Sequence, residues 1–214
     1  MKDIAIYGAG GFGKEIALMI QRINTAGGDW NFIGFFDDGK EKGFQVSHLG
    51  KVLGNIDTLN TWPSKLAVGI AVGNTEYLKH IREGINNVNI WFPNLLDPSV
   101  NIIDPESFRI GEGNIIQQNC RFSIDVTVGN FNIMNSDTVV GHDVKIGDYN
   151  VIMPDIRISG EVSIGTHCLI GVGSIILQQI KIGTGVRLAA GSVLLTKPKD
   201  NSVYMGNPAK LFKY

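Results

Sequence analysis

The chain has 214 residues, enough for one large domain or two small ones with a real core. Charged residues make up 18% and the formal net charge is −1, with no long basic run, which excludes a nucleic-acid-binding class. The two cysteines, Cys120 and Cys168, have no CxxC spacing and no neighbouring His pair, so neither a metal site nor a disulfide is expected, and a reduced, cytoplasmic setting is.

The opening "MKDIAIYGAG" has too short an apolar run for a signal peptide and reads as a first strand, and no run reaches the length of a membrane span. "DIAIYG" (Asp3 to Gly8) predicts a buried strand. In the next segment Phe12, Ile16, Met19, Ile20 and Ile23 share one helical face. "NFIGFF" and "KLAVGIAVG" (Lys65 to Gly73) predict further strands. Asn74 or Thr75 caps a helix through "EYLKHIRE" that Gly84 ends, and "NVNIWF" (Asn87 to Phe92) gives one more strand. Strand, helix and strand at these spacings predict a small parallel α/β sheet over residues 1–93.

Gly8, Gly10 and Gly13 satisfy G-x-G-x-x-G between a strand and a helix, where backbone N–H groups can meet phosphate oxygens. Read alone, this motif predicts NAD, with Asp37 as the acid that takes the ribose. A plain turn is the other reading of Asp37 and Asp38, and a simple helix cap that of Gly73 and Asn74.

From about residue 100 the pattern changes. Every sixth residue from Ile110 to Leu194 is apolar, fifteen in succession, although only 43% of the chain is apolar. Glycine often follows: Gly111, Gly129, Gly141, Gly147, Gly165, Gly171 and Gly183. A period of six suits a three-sided coil of short strands with turns at the corners, here about five uninterrupted coils over residues 94–214. Cys120 and Cys168 fall at small inward positions and read as core filler.

This coil resembles the left-handed parallel β-helix acyltransferases, and "YMGNPAKLF" (Tyr204 to Phe212) resembles their common ending. "IAIYGAGGFGKEIA", "GFFDD", "AVGN", "FPNLLDPSV" and "NSDTVVGHD", in this order, look like the sugar O-/N-acyltransferase family. The resemblance spans essentially the whole chain. It implies a Rossmann-like nucleotide-sugar-binding domain, then a coil that binds acetyl-CoA and assembles as a homotrimer with active sites between subunits. It implies no NAD and no metal.

Transfer of an acetyl group to an amine needs a group that accepts the amine's proton. Of the four histidines, His48 and His80 lie far from the coil in sequence. His167 has no adjoining acid and reads as a surface residue. His142 follows Gly141 and precedes Asp143, near a corner with its ring outside the core; a plain turn residue is the alternative. The resemblance makes His142 the base and Asp143 its orienting acid, although some relatives carry Glu there. It places Asn135, seven residues earlier and read as about one rung away, close to base and substrate; a corner Asn with left-handed backbone is the alternative. Gly160 corresponds to the thioester region, and Val172, Ala190 and Lys210 to the pantetheine and nucleotide ends of CoA. Gly10, Gly11, Phe12 and Gly13 then face the pyrophosphate or sugar, and Asp37 and Asp38 the base or ribose. Gly73 and Asn74 close the same sheet edge.

The expected activity is N-acetylation of a nucleotide-linked amino sugar in surface glycan biosynthesis. The alternatives are O-acetylation of a sugar hydroxyl, as on sialic acid, and a non-catalytic nucleotide-sugar-binding relative. An oxidoreductase would need a nicotinamide-side catalytic domain where the coil stands. A zinc enzyme would need about three ligands.

Overall fold

The computed structural model describes residues 1–213. It divides into two compact units, Met1–Pro98 and Ser99–Tyr214, a boundary five residues beyond the expected 93/94.

The first unit is built on a sheet of β1 (Lys2–Tyr7), β2 (Trp30–Phe36), β3 (Gln45–Val46), β4 (Gly50–Gly54), β5 (Leu66–Ile70) and β6 (Ile90–Trp91). Their order is β3-β4-β2-β1-β5-β6. All neighbours run parallel except β3 and β4. Every residue of β5 is buried, as in a parallel strand covered on both faces. Helix α1 (Gly11–Thr25) buries Ile16, Ala17, Met19 and Ile20, the core of the apolar stripe seen in the sequence, while Phe12 and Ile23 are half-buried. The Asn74 side chain caps helix α3 (Thr75–Gly84) by accepting from the Glu76 and Tyr77 N–H groups. The β3–β4 pair and the short helix α2 (Ile56–Asn60) have no sequence signal of their own, being brief and set among glycines. The "NVNIWF" strand shrinks to Ile90–Trp91.

The second unit is a β-helix of two-residue strands. Its first face carries Ile115–Ile116, Ile133–Met134, Val151–Ile152, Leu169–Ile170 and Arg187–Leu188. The second carries Asn101–Ile102, Arg121–Phe122, Val139–Val140, Arg157–Ile158, Ile175–Ile176 and Val193–Leu194. The third carries Arg109–Ile110, Thr127–Val128, Lys145–Ile146, Ser163–Ile164 and Lys181–Ile182, and its five strands make five full turns. Each strand pairs in parallel with those one turn away, as Ile133 pairs with Val151. Of the fifteen predicted ladder residues, Ile110, the first, is half-buried and the rest are buried.

The glycines after the ladder residues do not supply left-handed backbone. That falls two residues later, at Phe131, Asp137, Asp143, Tyr149, Asp155, Glu161 and His167 among others. The glycines are there because successive turns touch: a Cβ on Gly129 would stand 2.7 Å from the Gly147 carbonyl oxygen, and one on Gly171 2.6 Å from that of Leu188. Neither contact leaves room for any side chain.

One corner has a polar interior. Asn114 Oδ1 accepts from the backbone and side-chain nitrogens of Asn132, and Asn132 Oδ1 from those of Asn150. The Cys168 N–H donates to Asn150 Oδ1, and the Cys168 thiol donates to the Gly183 carbonyl. The buried amides are therefore satisfied along a continuous ladder, which offsets the cost of desolvating them. Outside the same corner, Phe131, Tyr149 and His167 stack at centroid separations of 5.5 and 5.3 Å. His167 is thus not the plain surface residue expected. Its ring is half-buried by the stack, and its Nε2 is buried with no hydrogen-bond partner among the described residues.

Candidate functional site

In the first unit the chain reverses direction across the sheet at β1, between β2 and β5. Open α/β sheets bind ligands at such a point, beyond the carboxyl ends of the strands. The glycine loop lies there. Gly13 is required by the fold, since a Cβ would run into the Gly8 carbonyl, and Gly8 has φ +110° with the Ala71 carbonyl oxygen 2.7 Å from where a Cβ would sit. Gly10, Gly11 and Gly73 differ: a Cβ on any of them would meet nothing within 4 Å, and none has left-handed backbone. Gly10 begins α1 without a side-chain cap, and the first turn holds no acid. The first N–H groups of a helix have no partner within it, so this end favours an anion.

The two acids are engaged by their own chain. Asp37 accepts from the Ala9 N–H at 2.7 Å through one oxygen and the Gly39 N–H at 2.9 Å through the other. Asp38 accepts from the Tyr7 hydroxyl at 2.6 Å and from the Ile56 N–H at 3.0 Å. Asp37 therefore ties the glycine loop to the end of β2, and Asp38 ties β1 to the start of α2. Burial, reinforced by the Asp38 hydrogen bond and charge, pushes the Tyr7 hydroxyl well above the ordinary tyrosine range, so it stays a donor. Beside Asp38 a pocket of about 430 Å³ is lined by Lys40, Glu41, Lys42 and Asn55 among others. Tyr7 was missed in the sequence, where only its position at the end of a strand could have marked it.

On the coil, His142 and Asp143 lie at the corner between the second and third faces. His142 Nδ1 is 2.8 Å from Asp143 Oδ2, and both side chains are more than half exposed, 55% and 56%. Asp143 is in left-handed backbone with φ 58°, which aspartate tolerates. With its proton on Nδ1 donated to the carboxylate, the imidazole keeps a lone pair on Nε2. That arrangement can accept a proton from an amine or hydroxyl. The shorter arm of Asp, relative to Glu, reaches the ring.

Gly160 occupies the same corner one turn on, and no described residue hydrogen-bonds its N–H. Asn135 does not share this corner. Seven residues span about one side of the triangle, whereas a turn takes eighteen, the separation of Asn132 from Asn114. Asn135 follows Ile133–Met134 on the first face and sits at the corner before the second. There its amide donates to the Ile152 carbonyl at 2.8 Å. Val172 and Ala190, both exposed, lie one above the other at that same corner. Lys210, itself exposed, opens the strand Lys210–Phe212, which pairs antiparallel with Val203–Met205. Apart from Lys210, the predicted coil residues thus fall into two groups on either side of the second face. Ile175, Leu177 and Leu195 expose large apolar side chains on that face and its edge.

Among the described residues no cluster of three His, Cys, Asp or Glu is placed to hold a metal. No described helix is long and apolar enough to cross a membrane.

Comparison with known proteins fits this geometry. Residues 3–85 match the PglD N-terminal domain. Over 99% of its length the chain is 28% identical to the acetyltransferase domain of PglB from Neisseria gonorrhoeae, covering 100% of that domain with a TM-score of 0.88. That domain has also been solved with acetyl coenzyme A. WeeI from Acinetobacter baumannii is 26% identical, with 99% and 100% of the two chains covered and a TM-score of 0.88. A variant of perosamine N-acetyltransferase from Caulobacter crescentus, solved with CoA and GDP-perosamine, shares the fold at 22% identity and a TM-score of 0.82, with 100% and 98% of the two chains covered. No curated protein matched the sequence. With an α/β unit like the PglD N-terminal domain and an uninterrupted β-helix carrying an exposed His–Asp pair, the chain is similar over its whole length to solved β-helix acetyltransferases.

Proposed function

We propose that the protein transfers the acetyl group of acetyl-CoA to the amino group of a nucleotide-linked amino sugar, as a step of surface glycan assembly. The observation that carries the reading is the His142–Asp143 pair, exposed at a corner and joined at 2.8 Å. The full-length likeness to an acetyltransferase solved with acetyl coenzyme A supports the donor.

His142 Nε2 takes a proton from the acceptor nitrogen as its lone pair attacks the thioester carbonyl. Such proton transfer typically contributes about 10²–10⁴-fold, and Asp143 holds the ring through Nδ1 and stabilises the imidazolium that forms. The carbonyl oxygen gains negative charge, and the unpartnered Gly160 N–H is a donor suited to it. The C–S bond then breaks and CoA leaves as the thiol, with the proton returned from His142.

In the α/β unit, the first N–H groups of α1 and the open glycines Gly10, Gly11 and Gly73 suit a pyrophosphate approaching close to backbone. Phe12, Gly13 and Asn74 shape the same edge. Asp37 and Asp38 meet the ribose or base with lone pairs not used by their own chain, since each carboxylate has about four acceptor sites. On the coil, Val172, Ala190 and Lys210 take the pantetheine and nucleotide of CoA. Because Val172, Ala190 and Asn135 sit at a different corner from His142, we infer that the site is completed by a second copy in a homotrimer, and the exposed apolar side chains of the second face favour that assembly.

The test is release of free thiol from acetyl-CoA across UDP-, GDP- and dTDP-linked amino sugars, with free sialic acid as the O-acetylation arm. Thiol release with one or more amino sugars and not with sialic acid is expected. Turnover of sialic acid alone would replace this reading with O-acetylation, and no turnover with any acceptor would remove it. A sedimentation mass of one chain would remove the shared site.

A further inference from the structure

Fifteen corner positions stand two residues beyond the ladder, from Glu112 to Thr196, and they carry one glycine, Gly160. Three ordinary reasons for a glycine fail there. Its backbone is not left-handed. It does not occupy the position directly after the ladder residue, where successive turns touch. No backbone atom is among the three nearest to its missing Cβ. What a Cβ would meet is the ring of His142, one turn below: Cε1 at 2.5 Å, Cδ2 at 3.0 Å, and Nε2 closer still. Side-chain carbons do not approach so closely, so the imidazole lies in the space that any other residue at 160 would fill.

We infer that Gly160 is a positioning residue, the seat on which the His142 imidazole lies so that Nδ1 meets Asp143 and Nε2 faces the acceptor. The inference rests on His142 being the base and goes beyond the expected thioester contact of Gly160. Two constraints then fix the ring. Asp143 holds one edge by a hydrogen bond at 2.8 Å, and the bare backbone of Gly160 admits the other edge. A methyl at 160 turns the ring out toward solvent. The rest of the coil need not move, because the displaced group is the free end of an exposed side chain. Misplacement of a catalytic group by about 1 Å can cost about 10²-fold.

The experiment is a double-mutant cycle of Gly160→Ala and His142→Ala, with a readout that needs no acceptor. In the unliganded protein, ring ¹⁵N signals of His142 are expected to report the Nδ1–H tautomer in the wild type and a mixture of both tautomers in G160A. With acetyl-CoA and whichever amino sugar of the panel turns over, G160A is expected to lower kcat by roughly 30-fold or more, with the Kd for CoA changed less than about threefold. In the H142A background the same substitution should cost less than about twofold, because the ring it displaces is gone. G160A and the double variant should melt with the wild type and H142A respectively, so a folding defect is read separately. An unchanged tautomer in G160A, or an equal loss in both backgrounds, overturns the proposal. Full activity in H142A instead overturns the assignment of the base and leaves the tautomer result standing by itself.

Discussion

At the glycine edge of the α/β unit, Asp37 and Asp38 hold four partners from their own chain: the Ala9, Gly39 and Ile56 N–H groups and the Tyr7 hydroxyl. At the coil corner, His142 holds one, Asp143, and leaves Nε2 open. The same kind of polar residue therefore does two kinds of work. In the first unit the acids shape a loop that leaves Gly10, Gly11 and the α1 N-terminus open. On the coil the backbone is already fixed by the stacked turns, and a side chain is free for chemistry. A sequence motif alone does not distinguish an acid that builds a site from one that touches the ligand.

That contrast predicts opposite kinetic signatures. His142→Ala should lower kcat by about 10²–10⁴ while leaving acceptor KM within a few-fold, read by thiol release at saturating acetyl-CoA. An unchanged kcat would erase the contrast, because neither region would then hold the chemistry. Ile152→Ala probes the scaffold that fixes the corner. Its side chain is fully buried in the ladder, so a loss of about 2–5 kcal/mol is expected in denaturant unfolding. A loss under about 1 kcal/mol would mean that the coil interior relaxes around the cavity and is not a rigid base for the corner.

Asp37→Ala should do the reverse of H142A. It frees the Ala9 and Gly39 N–H groups and lets the glycine loop drift, at a cost of about 1–3 kcal/mol in stability. Acceptor KM should rise about tenfold with kcat little changed. If stability falls and KM does not, Asp37 is a structural turn that does not meet the acceptor. If KM rises with stability intact, the carboxylate meets the ligand directly.

The period-six ladder, the strand–glycine–helix start and the Asn74 cap were legible because each is a local pattern with one geometric solution. The partners of Asp37 and Asp38 were not, since Ala9 and Tyr7 lie about thirty residues upstream and only the β1–β2 pairing brings them close. Asn135, seven residues before His142, stands at the preceding corner of the coil, a distinction that needs the length of a full turn. Stepping by eighteen puts Ile124, His142 and Gly160 in one column, with Asn135 outside it. The same step aligns Gly160 with His142, and Asn114 with Asn132 and Asn150.

The smallest expected effect concerns the coil's buried thiol. Burial pushes Cys168 from 9.0 up to about 11, so its neutral form is favoured by folding. A folded pKa raised in this way contributes stability that is fully present below about pH 9 and is lost as pH rises toward about 11. Replacement of Cys168 by Ser should therefore flatten the fall of stability between those limits, measured by urea unfolding at pH 8 and pH 11. At pH 8 the native wild type should not react with a thiol reagent at either cysteine, both being fully buried, and should react in urea. Native reactivity would mean that the coil opens where its ladder should be closed. It would also add protein thiol to the CoA signal by which the contrast between His142 and Asp37 is measured.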